Sequence, residues 1–146
     1  MKKGQVLGKQ RQSNGFTLIE ILVVATIIGL LAAVVSMSYS QFNKQSRDAK
    51  RKTDLEQIRA ALEMYRSNND QYSAYTGNCS SYTALTSPTK YISSMPSDPK
   101  SGYFYYCNIS TSDYTIAAYL ESAGTACVAG QCGNTCNYCL DAYGQK

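Results

Sequence analysis

The sequence has no histidine, which removes the side chain most often used to move protons near neutral pH. A serine or cysteine nucleophile would need an unusual base, and neither a glycine-rich phosphate loop nor a closely spaced carboxylate pair is present, so no enzyme is expected. No proline precedes Pro88, and Gly29 is the single glycine between Phe16 and Tyr75. Nothing therefore strongly interrupts a helix from Phe16 to about Asn69, a length of ~80 Å. The first fifteen residues lack Asp and Glu, and Lys2, Lys3, Lys9 and Arg11 account for the whole formal charge of +4. From Phe16 onward the chain carries ten basic and ten acidic side chains. The basicity belongs to the leading segment, so a general role on nucleic acid or anionic lipid loses its electrostatic support. Cysteine is absent before residue 79, and all six cysteines (Cys79, Cys107, Cys127, Cys132, Cys136 and Cys139) lie in the second half. An even number confined to one region points to an extracytoplasmic, disulfide-bonded part.

What is present begins abruptly. Polar and basic residues end at Gly15, and an apolar run from Phe16 to Val35 follows, interrupted by Thr17, Glu20, Thr26 and Gly29. Twenty residues at ~1.5 Å each cross ~30 Å, one bilayer core. A cleaved secretory signal has a shorter apolar core with its cut site after it, whereas here the candidate cut site comes first, so the apolar segment is expected to stay. Glu20 is costly in hydrocarbon and belongs either near the water boundary or with a partner. Lys44, Arg47, Lys50, Arg51 and Lys52 lie beyond the span, so positive charge flanks both ends and the positive-inside rule does not orient it.

Further along, Leu55, Ile58, Leu62 and Tyr65 recur at spacings of three and four with Ala61 beside them, one apolar stripe that needs a cover. Asp48 with Lys52, Lys50 with Asp54 and Glu63 with Arg66 fall at helical neighbour spacings, each pair worth ~0.2–0.5 kcal/mol on a solvated face. The run 47–52 reads as that face, or alternatively as a contact for acidic groups on neighbouring copies or lipid headgroups. Asn68, Asn69 and Asp70 end the helix. Tyr103 to Cys107 and Tyr114 to Leu120 are rich in aromatic and β-branched residues and predict an antiparallel hairpin around a turn at 108–113, with Thr125 to Ala129 as a weaker third strand. The sheet is expected to lie on the Leu55 stripe, since neither surface buries its apolar face alone. A domain this small needs covalent reinforcement, and closing Cys79 to Cys107 stabilises by ~3.5 kcal/mol in the loop-entropy account. That pair leaves Cys127, Cys132, Cys136 and Cys139 to pair among themselves, although six cysteines allow fifteen connectivities. Zinc is the rival for those four; with one two-residue gap and no histidine, no metal and no cofactor are expected.

The residues Gly15-Phe16-Thr17-Leu18-Ile19-Glu20 resemble the class III signal of type IV pilins and type II secretion pseudopilins, a basic leader ending in Gly before Phe-Thr-Leu-Ile-Glu. The resemblance covers roughly the first 70 residues. It implies cleavage between Gly15 and Phe16 by a prepilin peptidase, methylation of the new Phe16 amine, and incorporation into a helical filament by an assembly platform in the membrane. Glu20 lies four residues from that amine, ~6 Å along the axis and on one face. The family implies pairing of Glu20 with the amine of a neighbouring subunit, and buried ion pairs are best attested as register devices. Many pilins carry a proline near the position of Met37; without it, any local unwinding on assembly would centre on Gly29, whose helix penalty is ~1 kcal/mol. The segment Met95-Pro96-Ser97-Asp98-Pro99 is similar to the one that leads into the sheet of major pseudopilins. A calcium loop can follow there, but Asp113, Glu121 and Asp141 are too sparse for one to be expected here.

These readings combine into an α+β fold of the type IV pilin kind: a leader (1–15), a transmembrane and filament-core helix (16–35), its amphipathic extension (36–70), and a β-rich extracytoplasmic part (71–146) closed by a disulfide-stabilised C-terminal loop. The expected function is a structural pilin, polymerising with identical copies. It would cross the cytoplasmic membrane once before assembly, C-terminus out, and stand outside the cell afterwards. The alternatives are a type II secretion or competence pseudopilin and a membrane-anchored binding domain that never polymerises. Thirteen tyrosines suit sheet packing, with adhesion or stacking on single-stranded DNA as the other uses.

Overall fold

The computed structural model describes residues 15–122, 124–127 and 130–145, with the side chains of 36–38 excepted. The chain separates into two units, Met1–Ser38 and Tyr39–Lys146. One helix, α1 (Leu18–Asn69), contributes to both. It starts where Thr17 caps it and stops where the backbone of Asp70 turns left-handed (φ 62°). The Asp70 N–H then donates to the Arg66 carbonyl at 2.8 Å, while Asn69 Nδ2 donates to the Tyr65 carbonyl at 2.8 Å. Both contacts satisfy carbonyls that a helix end otherwise leaves bare.

The second unit holds a five-stranded antiparallel meander: β1 (Tyr75–Asn78), β2 (Tyr106–Ile109), β3 (Tyr114–Ala118), β4 (Tyr138–Asp141) and β5 (Gly144–Gln145), adjacent in sequence order. Tyr106 pairs with Ala117 and Ile109 with Tyr114 across β2 and β3, and Ile116 with Leu140 across β3 and β4. The expected hairpin is present, shifted so that its first strand begins at Tyr106 and its turn spans 110–113. There the Ser110 N–H donates to the Asp113 carbonyl at 2.8 Å. Over its described residues, 125–127, the third strand expected at Thr125 to Ala129 is not formed. Residues 124–127 are irregular and 128–129 lie outside the described residues; β4 takes that place, because Tyr138, Leu140 and the disulfide-bonded Cys139 bury side chains on both faces.

On its helix side the sheet covers the apolar stripe. Leu55, Ile58, Ala61 and Leu62 are buried with Tyr72, Ile109, Tyr114, Ile116 and Leu140, and Tyr65 packs at the margin. A buried aliphatic side chain contributes about 1.5–3 kcal/mol, so this layer is the principal source of cohesion. The opposite face has a smaller cover: Ala117 and Cys139 lie under Cys132 and Cys136, flanked by Tyr106, Tyr119 and Cys127. That cover accounts for the burial of consecutive residues Ile116, Ala117 and Ala118 in β3, where a sheet bare on one side would alternate.

The six cysteines form three disulfides: Cys79–Cys107, Cys127–Cys139 and Cys132–Cys136. The last is nested inside the second. Gly133 (φ 82°) sits so close to the Gly102–Tyr103 backbone that an added Cβ would meet the Gly102 carbonyl oxygen, and the Phe104 N–H donates to the Cys132 carbonyl at 3.3 Å. Asn137 ties the entry of β4 to the exit of β3, accepting from the Leu120 N–H at 2.6 Å and donating to the Leu120 carbonyl at 2.9 Å.

Candidate assembly site

At the start of α1, Thr17 and Glu20 form a capping box. The Thr17 N–H and hydroxyl both donate to Glu20 Oε2 at 2.7 Å, and the Glu20 N–H donates to Thr17 Oγ1 at 3.3 Å. The T-x-x-E spacing carries this geometry, which satisfies helix N–H groups and places a negative charge at the positive end of the helix dipole. Charge pattern alone does not reveal it: charge pairs Glu20 with an amine, whereas in the uncleaved chain Thr17 already holds its carboxylate. Cleavage after Gly15 would create a cationic amine one residue before this box, beside an acceptor already fixed in place.

Around Glu20 the helix is bare. Phe16 (84% exposed), Leu18, Ile19, Ile21, Leu22, Ile27, Ile28, Leu30, Leu31, Val34 and Val35 are all exposed. Phe16, Ile19, Val23 and Val24 border a shallow hollow beside the Glu20 side chain. Gly29 has open space where a Cβ would stand. Among the described residues, α1 is the one helix long and apolar enough to cross a membrane by length and composition. An apolar face this large requires hydrocarbon or other helices over it.

Only part of the basic run is the solvated face it resembles: Lys50 and Lys52 are exposed, whereas Arg47, Asp48 and Arg51 turn toward the loops. Arg51 is fully buried, its Nε and Nη2 donating to both oxygens of Asp98 at 2.7 and 2.8 Å, and its Nη1 donating to Asp48 at 2.8 Å and to Glu121 at 3.0 Å. Arg47 forks onto Glu121 at 2.7 and 2.8 Å. Asp48 also accepts from the backbone N–H groups of Glu121 and Ser122, at 2.9 Å each. The supposed helical pairs of Asp48 with Lys52 and Lys50 with Asp54 are thus replaced: Asp54 is buried and accepts from the Tyr105 hydroxyl at 2.6 Å. The reason is tertiary, since two loops carrying Asp98 and Glu121 close over this side of the helix.

Electrostatics follow the geometry. The Arg47 guanidinium, seconded by Arg51 and opposed by burial, lowers the Glu121 pKa to about 2. Burial opposes ionisation of Asp48, but the N–H groups of Glu121 and Ser122 and the Arg51 guanidinium outweigh it and hold Asp48 below the usual carboxylate range. Burial and the neighbouring Asp54 raise the Tyr105 phenol; burial and Glu63, to which Tyr114 donates at 2.7 Å, raise Tyr114.

The carboxylates weighed for calcium do not converge. Asp113 sits in the β2–β3 turn, Glu121 is held by arginines, and Asp141 accepts from the Tyr143 and Gly144 N–H groups. Among the described residues no group of three or more His, Cys, Asp or Glu side chains is arranged to hold a metal ion.

Comparison with known proteins places the sequence. Residues 10–36 match the prokaryotic N-terminal methylation motif. The chain is 31% identical to the type II secretion system core protein G of Vibrio cholerae over 108 residues, covering 67% of this chain and 73% of that protein. It is 44% identical to the core protein G of Pseudomonas aeruginosa over 64 residues, 44% of this chain and 45% of that protein. Over another 64 residues it is 36% identical to the type IV major pilin protein PilA of Myxococcus xanthus, of which it spans 29%. The chain thus spans less than half of the length of these last two relatives. No solved structure matches.

Proposed function

Since the chain belongs to the family of type IV pilins and type II secretion pseudopilins, whose members are structural subunits, we propose that it is a filament subunit of the pseudopilin kind, similar to core protein G. Leader and α1 end at residue 69, whereas the Vibrio similarity covers 67% of 146 residues, about 98, and so must extend into the globular unit. That reach is the observation that carries the pseudopilin reading. The pilin similarity, 64 residues long, is short enough to lie within the leader and helix that both kinds of filament share; a surface pilus, the function first expected from the sequence, is the second reading.

In this proposal the subunit waits in the cytoplasmic membrane with residues 16–35 in hydrocarbon. A prepilin peptidase removes 1–15 and methylates Phe16, and an assembly platform lifts the subunit into a helical polymer of identical copies. Burial of the exposed apolar face supplies cohesion. The Phe16 amine of one copy and the Glu20 carboxylate of the next, both losing water, fix axial register. Thr17 orients that carboxylate before its partner arrives.

The deciding experiment co-expresses the chain with a prepilin peptidase and a type II secretion machine that lacks its own core protein G. Restored secretion together with a methylated Phe16 by mass spectrometry is the expected result. Long surface fibres without secretion would favour the pilus, and material still starting at Met1 would end both filament readings.

A further inference from the structure

Two aromatic side chains stand just past the apolar span with nothing over them. Tyr39 is 67% and Phe42 69% exposed. Both belong to the second unit, yet its sheet does not reach them, because they project about 140–160° around the helix from the core residue Leu55. We infer that Tyr39 and Phe42, with Lys44 following, form an interfacial girdle that fixes the depth of the subunit in the outer leaflet before assembly, seated on phospholipid at the level of the headgroups. The inference rests on the membrane-resident state proposed above and assigns residues to its outer boundary.

Position along α1 is the first support. Tyr39 follows Val35 by four residues and Phe42 by seven, so where residues 16–35 fill the hydrocarbon these two rings come next in the chain, where headgroups begin. Chemistry is the second. A tyrosine ring has an apolar body and a polar tip, the combination enriched where hydrocarbon meets water. Charge is the third. Between Glu20 and Asp48 there is no acidic residue, and from Phe16 to Asn43 there is no basic one. The first cations after the span are therefore Lys44 and Arg47; Arg47 is taken by Glu121, while Lys44 is exposed. Lys44 can extend its stem back toward the membrane surface and place its ammonium group among lipid phosphates.

The chain contains no tryptophan, so a single one reports its own surroundings. Tyr39→Trp, Phe42→Trp and, inside the span, Ile28→Trp are placed one at a time in the full chain and reconstituted in phosphatidylcholine vesicles whose acyl chains carry bromine either near the headgroup or near the methyl end. The Tyr39→Trp and Phe42→Trp variants should show blue-shifted emission, quenched about twofold more by the shallow bromines than by the deep ones, and the Ile28→Trp variant should show the reverse order. Hydrated, unquenched emission from the two girdle variants, with the Ile28→Trp variant quenched, would overturn the girdle and leave the membrane reading standing. Blue-shifted emission without quenching from the girdle variants would also overturn it, by showing that another copy of the chain covers these side chains. If the Ile28→Trp variant too escapes quenching, the membrane-resident state itself fails, and the girdle with it.

Discussion

The two units handle their demanding groups in opposite ways. In the described part of 39–146 the buried polar groups and the cysteines are matched internally: the buried Arg51 meets three carboxylates, the buried Asp54 a tyrosine hydroxyl, and the six cysteines one another. In the described part of 1–38 the large apolar side chains are exposed, and the one carboxylate is held only by the residue that caps its own helix. A self-sufficient unit can fold wherever its sulfurs oxidise, whereas an apolar rod becomes stable only within something else. The chemistry proposed for assembly is concentrated where the fold leaves its needs unmet.

The largest expected effect tests the second half of that contrast. Glu20→Ala should abolish filament formation while leaving thermal unfolding of the globular part unchanged, read by electron microscopy of sheared fibres beside near-ultraviolet circular dichroism. Fibres at normal yield would remove the register role. Gly15→Ala should likewise block processing, seen by mass spectrometry as retention of the fifteen leading residues.

The next test attacks self-sufficiency. Arg51→Ala leaves Asp98, Asp48 and Glu121 facing one another without their shared cation and should cost about 3–5 kcal/mol in urea unfolding, whereas Glu20→Ala should cost nothing there. Removing disulfides should grade by loop length: replacing Cys79 and Cys107 by serine should cost about 3.5 kcal/mol, and replacing Cys132 and Cys136 about 2 kcal/mol. Equal losses would mean that cover over the outer sheet face matters more than loop entropy.

The smallest effect is acid sensitivity. The folded pKa of Glu121 is depressed to about 2 from an ordinary value of 4.5, so its contribution is present above pH ~4.5 and is lost as pH falls toward 2. Urea midpoints measured across that window should decline, and Glu121→Gln should flatten the decline. An unchanged slope would show that the arginines prefer Asp98 and Asp48 alone.

Much of the helix was legible because its signals are local: no proline, one glycine, and a stripe at Leu55, Ile58 and Leu62. The capping box was equally local in Thr17 and Glu20, but the isolated charge masks it, since the signal lies in the hydroxyl three residues earlier. β1 was hidden because Gly77 and Asn78 are poor strand formers, and they pair only because β2 lies alongside. The fate of Arg51 was not readable either. Its partners Asp98 and Glu121 lie 47 and 70 residues away in the chain, so a run of alternating charge looked wet on all sides, whereas loops close over its Asp48 and Arg51 side. Pairing within Cys127, Cys132, Cys136 and Cys139 was likewise left open by composition.

The nested Cys132–Cys136 and Cys127–Cys139 links act as a clasp on a plate that has no third layer. Ala117 is one of the smallest side chains in the sheet, and Cys139 serves both as strand residue and as anchor for the flap above it. The last strand pair and its lid are therefore finished together, and opening these two links alone would leave the back of the sheet exposed to water while Cys79–Cys107 still braces the helix-facing core.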